Sequence, residues 1–222
     1  MSLEHADPAA TEARPAVTAD AVLDAALTLF AELGYHGTAV SQIAASLGIR
    51  TSSLYNHTRT KQDLLEKIIG RTVDGVLDDF RTAIDDVSDP VEQLRRATRV
   101  YALRHATHRR EALVANRDTT SLAEPARTRV RRRERDHERA VRAIIYDGVS
   151  KGDFHVDFPA LASFAILEMC LSIARWFRDD GDRTAEQVAD EYAGFALRIV
   201  GFRCGPAITG RPGAAGPDDP DQ

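Results

Sequence analysis

The run from Gly34 to Leu65 constrains this chain more than any other: GYHGTAVSQIAASLGIRTSSLYNHTRTKQDLL. Thr38 is placed to N-cap a short helix whose Val40, Ile43, Ala44 and Leu47 share one face, and Gly48-Ile49 makes a turn. Thr51 or Ser52 opens a second short helix through His57. Thr60-Lys61-Gln62-Asp63 resembles a capping box, with Asp in place of Glu, ahead of Leu64, Leu65, Ile68 and Ile69. Two short helices around a tight turn, braced by longer ones, form a helix-turn-helix pattern. No acid occurs between Glu32 and Asp63, while Arg50, Arg59 and Lys61 do, in a chain of formal net charge -5. That is the local footprint of a surface that meets phosphate.

Helical periodicity continues on both sides. Val22, Leu23, Ala26, Leu29, Phe30 and Leu33 predict a first helix that Gly34 ends. The helix begun at Lys61 is expected to run into the low 80s. Further helices are predicted over residues 91–107, 110–118, 125–151, 159–177 and 185–202, with Pro90 suited to a first helical position. The expectation from the pattern is an all-α fold in two parts: a three-helix helix-turn-helix domain over residues 18–65 and a second, all-helical domain over 66–203, to which the family resemblance given below assigns ligand binding and dimerisation. Residues 1–17 and 204–222, rich in Pro, Ala, Gly and Asp, read as a disordered arm and tail.

Composition narrows the function. The 222 residues suffice for a sizeable core, and 43% apolar with 28% charged is ordinary for a globular protein. Residues 1–18 lack the apolar core of a signal peptide, and no stretch of ~18 consecutive apolar residues predicts a membrane span. Cys170 and Cys204 make neither a CxxC pair nor a disulfide framework, so a cytoplasmic protein without membrane contact is expected. No nucleophile–base arrangement, Gly-rich phosphate loop or HExxH motif occurs, so neither an enzyme nor a cofactor is expected. His105, His108 and His137 have helical spacing but no Cys or paired carboxylate beside them, and no metal site is assigned.

In the helix-turn-helix, Thr51, Ser52 and Ser53 are small and polar where base edges are read, and Arg50 precedes them. Tyr55, Asn56, His57 and Lys61 suit phosphate oxygens, and the helix start at Thr38 offers backbone N–H groups. Gly34-Tyr35, Thr38, Ile43-Ala44, Gly48-Ile49, Leu54-Tyr55, His57, Lys61 and Leu64-Leu65 together resemble the N-terminal domain of the TetR family of bacterial repressors. Thr58 departs from it, standing where the family usually has Phe, and Asn56 replaces a frequent Tyr. The resemblance implies a homodimer on a palindromic double-stranded DNA operator, with an effector pocket in the C-terminal helices.

Residues 158–177 are apolar nearly all round, so that helix must be covered on more than one side. Phe164, Leu167 and Leu171, with Tyr192, Phe195 and Ile199 of the last helix, are the expected dimer interface. Residues 125–202 look like the subgroup that senses acyl-coenzyme A thioesters from steroid or fatty-acid breakdown. Coenzyme A needs guanidinium groups and a stacking surface, for which Arg175, Trp176 and Arg178 near Arg129, Arg132 or Arg133 are candidates. The expected function is a repressor released by a small hydrophobic effector such as an acyl-CoA. The alternative is an effector-independent regulator or an activator.

Overall fold

A Thr hydroxyl starts the first helix of the computed structural model, which describes residues 17–203. Thr18 accepts the Ala21 N–H at 3.1 Å and opens α1 (Ala19–Leu33). The arm and tail expected to be disordered lie outside the described residues, apart from Val17. α2 (Val40–Ser46), α3 (Thr51–Leu54) and α4 (Lys61–Ile84) complete the N-terminal part. α5 (Pro90–Thr107), α6 (Arg109–Asp118), a 3₁₀ turn (Thr119–Ser121), α7 (Ala126–Lys151), α8 (Pro159–Trp176) and α9 (Ala185–Ile199) follow. There is no strand among the described residues.

Two glycines fix the N-terminal turns. Gly34 stops α1 with φ 81° and ψ 156°, a region only glycine enters cheaply. Gly48, at φ 64°, lets the Ile49 N–H reach the Ala44 carbonyl at 3.0 Å and so sets the angle between α2 and α3. α4 begins with a reciprocal capping box: Thr60 Oγ1 accepts from the Asp63 N–H at 3.0 Å, and Asp63 Oδ2 from the Thr60 N–H at 3.1 Å. Its 24 residues span about 36 Å, enough to cross both halves of the molecule.

The limit drawn at residue 65 falls inside α4, and the core crosses it too. Phe30, Ile43, Leu54, Leu65 and Ile69 form one buried cluster with Val114 and Ala115 of α6, Leu122, and Val130 of α7. The N-terminal helices therefore have no closed core of their own. In the C-terminal half α5 is the central helix, touching α4, α6, α7, α8 and α9. Leu94, Ile145, Ile166 and Ala196 form a second cluster, and Ala106, Cys170, Ile173 and Ala189 a third.

α8 is long and apolar enough, by length and composition alone, to cross a membrane, although Glu168 and Arg175 interrupt its apolar run. Here it packs against α5, α6, α7 and α9, burying Ile166, Cys170 and Ile173. Outward it leaves Phe158, Leu161, Phe164 and Trp176 exposed.

Candidate DNA-reading surface and effector cavity

α3 is held by Leu54, which is fully buried, and presents the residues around it. Arg50, Ser52, Tyr55 and Asn56 are exposed; Thr51, Ser53 and His57 are half-buried beside them. Two other expected DNA contacts do not join them. Thr38 is buried, its hydroxyl 2.9 Å from the Gly34 carbonyl and 3.2 Å from that of Leu29. Ala39 rather than Thr38 is therefore the N-cap of α2, and its N–H donates to Gln42 Oε1 at 2.6 Å. Lys61 turns inward: Nζ donates to the carbonyls of Tyr35 (2.8 Å) and Thr38 (2.9 Å) and sits 4.3 Å above the Tyr35 ring. The loop between α1 and α2 leaves carbonyls that an ammonium satisfies better than water at that depth. Thr58 is also buried, donating to the Thr60 carbonyl at 2.9 Å, so a small polar residue closes the end of α3 where a Phe was the family norm.

Polar links run from this head into the C-terminal half. The Tyr35 hydroxyl donates to Gln62 Oε1 at 2.8 Å, and Gln62 Nε2 donates to the Ser121 carbonyl at 3.3 Å. His36 Nε2 lies 2.9 Å from Ser121 Oγ. The Arg117 guanidinium donates to the Phe30 and Ala31 carbonyls at the end of α1, where a cation meets the negative end of the helix dipole. Asp118, buried beside it, holds that guanidinium at 2.9 Å. Sequence reasoning missed Arg117 and Gln62, since neither belongs to a pattern readable along the chain.

Next to these links lies a cavity of about 560 Å³. α5 and α8 wall it, and α4, α6 and α7 complete it. Val73, Val76 and Leu77 of α4, Ala112 and Ala115 of α6, and Leu167 and Leu171 of α8 make it largely apolar. Its exposed rim carries Arg131 and Arg135 from α7 and Phe164, Glu168 and Arg175 from α8. Among the described residues these three arginines have no carboxylate partner within ion-pair distance. Burial raises the Glu134 carboxyl above its usual range, against the pull of neighbouring Arg131 and Arg135.

The expected effector set is thereby redistributed. Arg175 reaches the cavity. Arg178, past the end of α8, is chelated by Asp180 through two 2.9 Å contacts and lies outside it. Trp176 sits on the outer face, its ring 6.3 Å from that of Tyr192 and nearly parallel. Successive helical residues point about 100° apart, so 175 and 176 cannot serve one site. Arg129 pairs with Glu66 of α4, Arg133 with Asp74 of α4 at the cavity edge, and Arg132 lies exposed at 3.9 Å from Asp136. Arg131 and Arg135, which were not singled out, are on the face of α7 that turns to the cavity.

The expected dimer interface divides in the same way. Tyr192 is half-buried, and Phe195 and Ile199 are exposed; with Trp176 they make an outward apolar seam. Leu167 and Leu171 instead line the cavity, and Phe164 stands at its rim, because α8 has two apolar faces.

Three of the cavity's polar residues form an aromatic cluster. The His105 ring is 4.4 Å and the His137 ring 5.2 Å from that of Tyr101, and His137 also meets Phe80 edge-on at 4.9 Å. His105 Nδ1 lies 2.7 Å from the Tyr101 carbonyl. Both histidines are buried, and desolvation pushes each down to about 4, so both are neutral at pH 7. His108 is elsewhere, exposed beside Thr107. No group of three or more metal-ligating side chains occurs among the described residues.

A helix-turn-helix head that shares its core with a helical body enclosing a cavity defines a regulator with reading and sensing on one chain. Known proteins agree. Residues 22–68 match the model of the tetR family of bacterial regulatory proteins, and residues 87–200 match that of the tetracyclin repressor-like C-terminal domain. The chain belongs to the TetR family of transcriptional regulators. It is 26% identical over 190 residues to the HTH-type transcriptional repressor KstR2 of Mycolicibacterium smegmatis, covering 84% of this chain and 92% of that protein. The crystal structure of PfmR from Thermus thermophilus is similar at 33% identity and TM-score 0.73, over 80% of this chain and 97% of that one. AibR, solved in complex with isovaleryl coenzyme A and operator DNA, is 26% identical with TM-score 0.74, over 83% of this chain and 99% of that one.

Proposed function

We propose that this protein is a cytoplasmic repressor that binds a near-palindromic operator as a homodimer and releases it when an acyl-CoA thioester enters the cavity. The observation that carries this reading is the cavity's polarity: a largely apolar lining with Arg131, Arg135 and Arg175 at its rim, none within ion-pair distance of a carboxylate among the described residues. The acyl group would enter among Leu167, Leu171 and Val76, and the phosphates of coenzyme A would meet the rim guanidiniums. The AibR complex supports the ligand class, and the KstR2 likeness supports repression.

Two copies related by a two-fold axis would join through the seam of Trp176, Tyr192, Phe195 and Ile199, and one α3 per copy would read each half-site. Release follows if the ligand favours a conformer whose two heads no longer match the half-site spacing; equal affinity for both conformers would shift nothing. α4 is one lever, since it starts at the head and lines the cavity with Val73 and Val76. α6 is a second, since Ala112 and Ala115 line the cavity and Arg117 holds the end of α1.

The test uses a duplex selected by the protein from a random pool and followed by fluorescence anisotropy. Arg131→Ala/Arg175→Ala is expected to bind the duplex with wild-type affinity. It should need ~10-fold or more isovaleryl-CoA for half release, since each lost charge-assisted contact is worth about 1.5–3 kcal/mol at full strength. Release at the wild-type concentration would rule out coenzyme A recognition at this rim and favour a purely apolar effector.

A further inference from the structure

α4 belongs to both halves of the molecule, and one of its turns is weaker than the rest. Gly70 stands half-buried in the helix interior, and a Cβ added there would meet no atom within 4 Å beyond its own helix backbone. Glycine in a helix interior disfavours the helical state about 5-fold (~1 kcal/mol) relative to alanine, because its unfolded backbone has more freedom to lose. Gly75, five residues on, has a reason to lack a side chain: the Arg104 guanidinium of α5 occupies the place of its Cβ. Gly70 has no such neighbour.

A second feature weakens the same turn. The buried Thr72 hydroxyl donates to the Ile68 carbonyl at 2.8 Å, a local bond that competes with the helical ladder and favours bending. Free volume adjoins it. Thr72 lines the cavity of about 560 Å³ together with Val73, Val76 and Leu77. It also lines a smaller cleft of about 250 Å³, with Ile68 and Arg71 of α4 and Leu23 and Leu27 of α1. Protein interiors are otherwise close-packed, so a helix bends most readily where such space exists.

On either side of this turn α4 is held fast. Leu64 and Leu65 are buried in the cluster that the head is built on. Beyond Gly70, Asp74 pairs with Arg133 of α7, Asp79 accepts from Arg104 of α5 at 2.6 Å, and Phe80 is buried in the second cluster. We propose that the turn from Ile68 to Thr72 is a hinge: an effector pressing on Val73, Val76 and Leu77 bends α4 at Gly70, with the cleft beside α1 as free space, and so tilts the reading head against the body. This inference rests on the reading of the cavity as the effector site and names the place in α4 where occupancy becomes motion.

Gly70→Ala tests it in the full chain by two readouts that fail separately. Without ligand, native-state hydrogen exchange is expected to show the amides of residues 71–74, whose helical bonds reach to or across the glycine, opening more often than those of residues 65–69 and 75–80. Alanine should slow the 71–74 amides about 5-fold, the helix-propensity factor. With ligand, the factor by which saturating isovaleryl-CoA weakens binding of the selected duplex should shrink about 5-fold, because alanine disfavours the bent conformer by that much. The added methyl enters open space, so the variant should melt no earlier than wild type. Amides 71–74 as protected as their neighbours, or unmoved by alanine, would overturn the hinge, and so would an earlier melt or an unchanged release factor. If isovaleryl-CoA does not release the wild-type protein, the effector reading fails, and hydrogen exchange alone decides the hinge.

Discussion

The head and the sensing half treat their polar side chains in opposite ways. In the head, Thr38, Thr58, Lys61 and Gln62 each close on a named carbonyl or side chain, and the turn at Gly48 is tied by backbone bonds. Around the cavity, among the described residues, the buried His137 ring nitrogens have no hydrogen-bond partner and the three rim arginines no ion pair. A reading surface must hold one geometry to match bases, so its supports are satisfied internally. A sensing site must present unmet groups to whatever enters. The two halves nevertheless share a core, so the open half can act on the closed one.

The shared core is the easiest part of this contrast to break. Phe30→Ala removes a fully buried ring at the junction and is expected to cost about 3–5 kcal/mol. Calorimetry should show the whole chain melting earlier in one transition; a head that melts alone while α5 to α9 keep the wild-type midpoint would separate the halves.

Next is Lys61→Ala, which strips two charge-assisted hydrogen bonds from a half-buried ammonium and is expected to cost about 2–3 kcal/mol. DNA affinity should fall alike on all sequences, through loss of head order. A variant of wild-type melting temperature whose binding loses only salt dependence would return Lys61 to the phosphate role first expected of it.

Acid separates the halves in another way. His105 and His137 have folded pKa values near 4, below the unfolded value near 6.5. Between these the unfolded chain binds more protons, so their contribution to stability is present above pH 6.5 and is lost as pH falls towards 4. The loss is on the order of 3 kcal/mol per histidine. His137→Phe should flatten that part of the stability-versus-pH curve; an unchanged slope would mean that the ring is charged or solvated in the native state.

Smallest of all is Arg178→Ala. Its exposed pair with Asp180 is a surface contact, so neither melting temperature nor ligand response should move measurably. A raised ligand requirement would bring Arg178 back to the effector site.

Local signals made the fold legible. Helical periodicity, Gly34 and Gly48, and the Thr60–Asp63 box act within a few residues of one another, and the structure uses each at that range. Side-chain direction was harder. Thr38 and Lys61 match the family motif for their internal bonds, which a linear pattern cannot distinguish from surface contacts. Arg175 and Trp176 are neighbours in sequence but lie on different faces of α8, while Arg131, Arg175 and His105 come together from three helices. The histidines invited a metal reading because their spacing was visible and their aromatic surroundings were not.

If the cavity and the head are coupled as proposed, the coupling of their binding free energies is reciprocal. The direct measurement is the affinity of the full chain for isovaleryl-CoA, by calorimetry, with and without a saturating operator duplex. Bound operator is expected to weaken the ligand by ~10-fold or more, the same factor by which saturating ligand weakens the operator. Equal ligand affinity in the two conditions would contradict the claim.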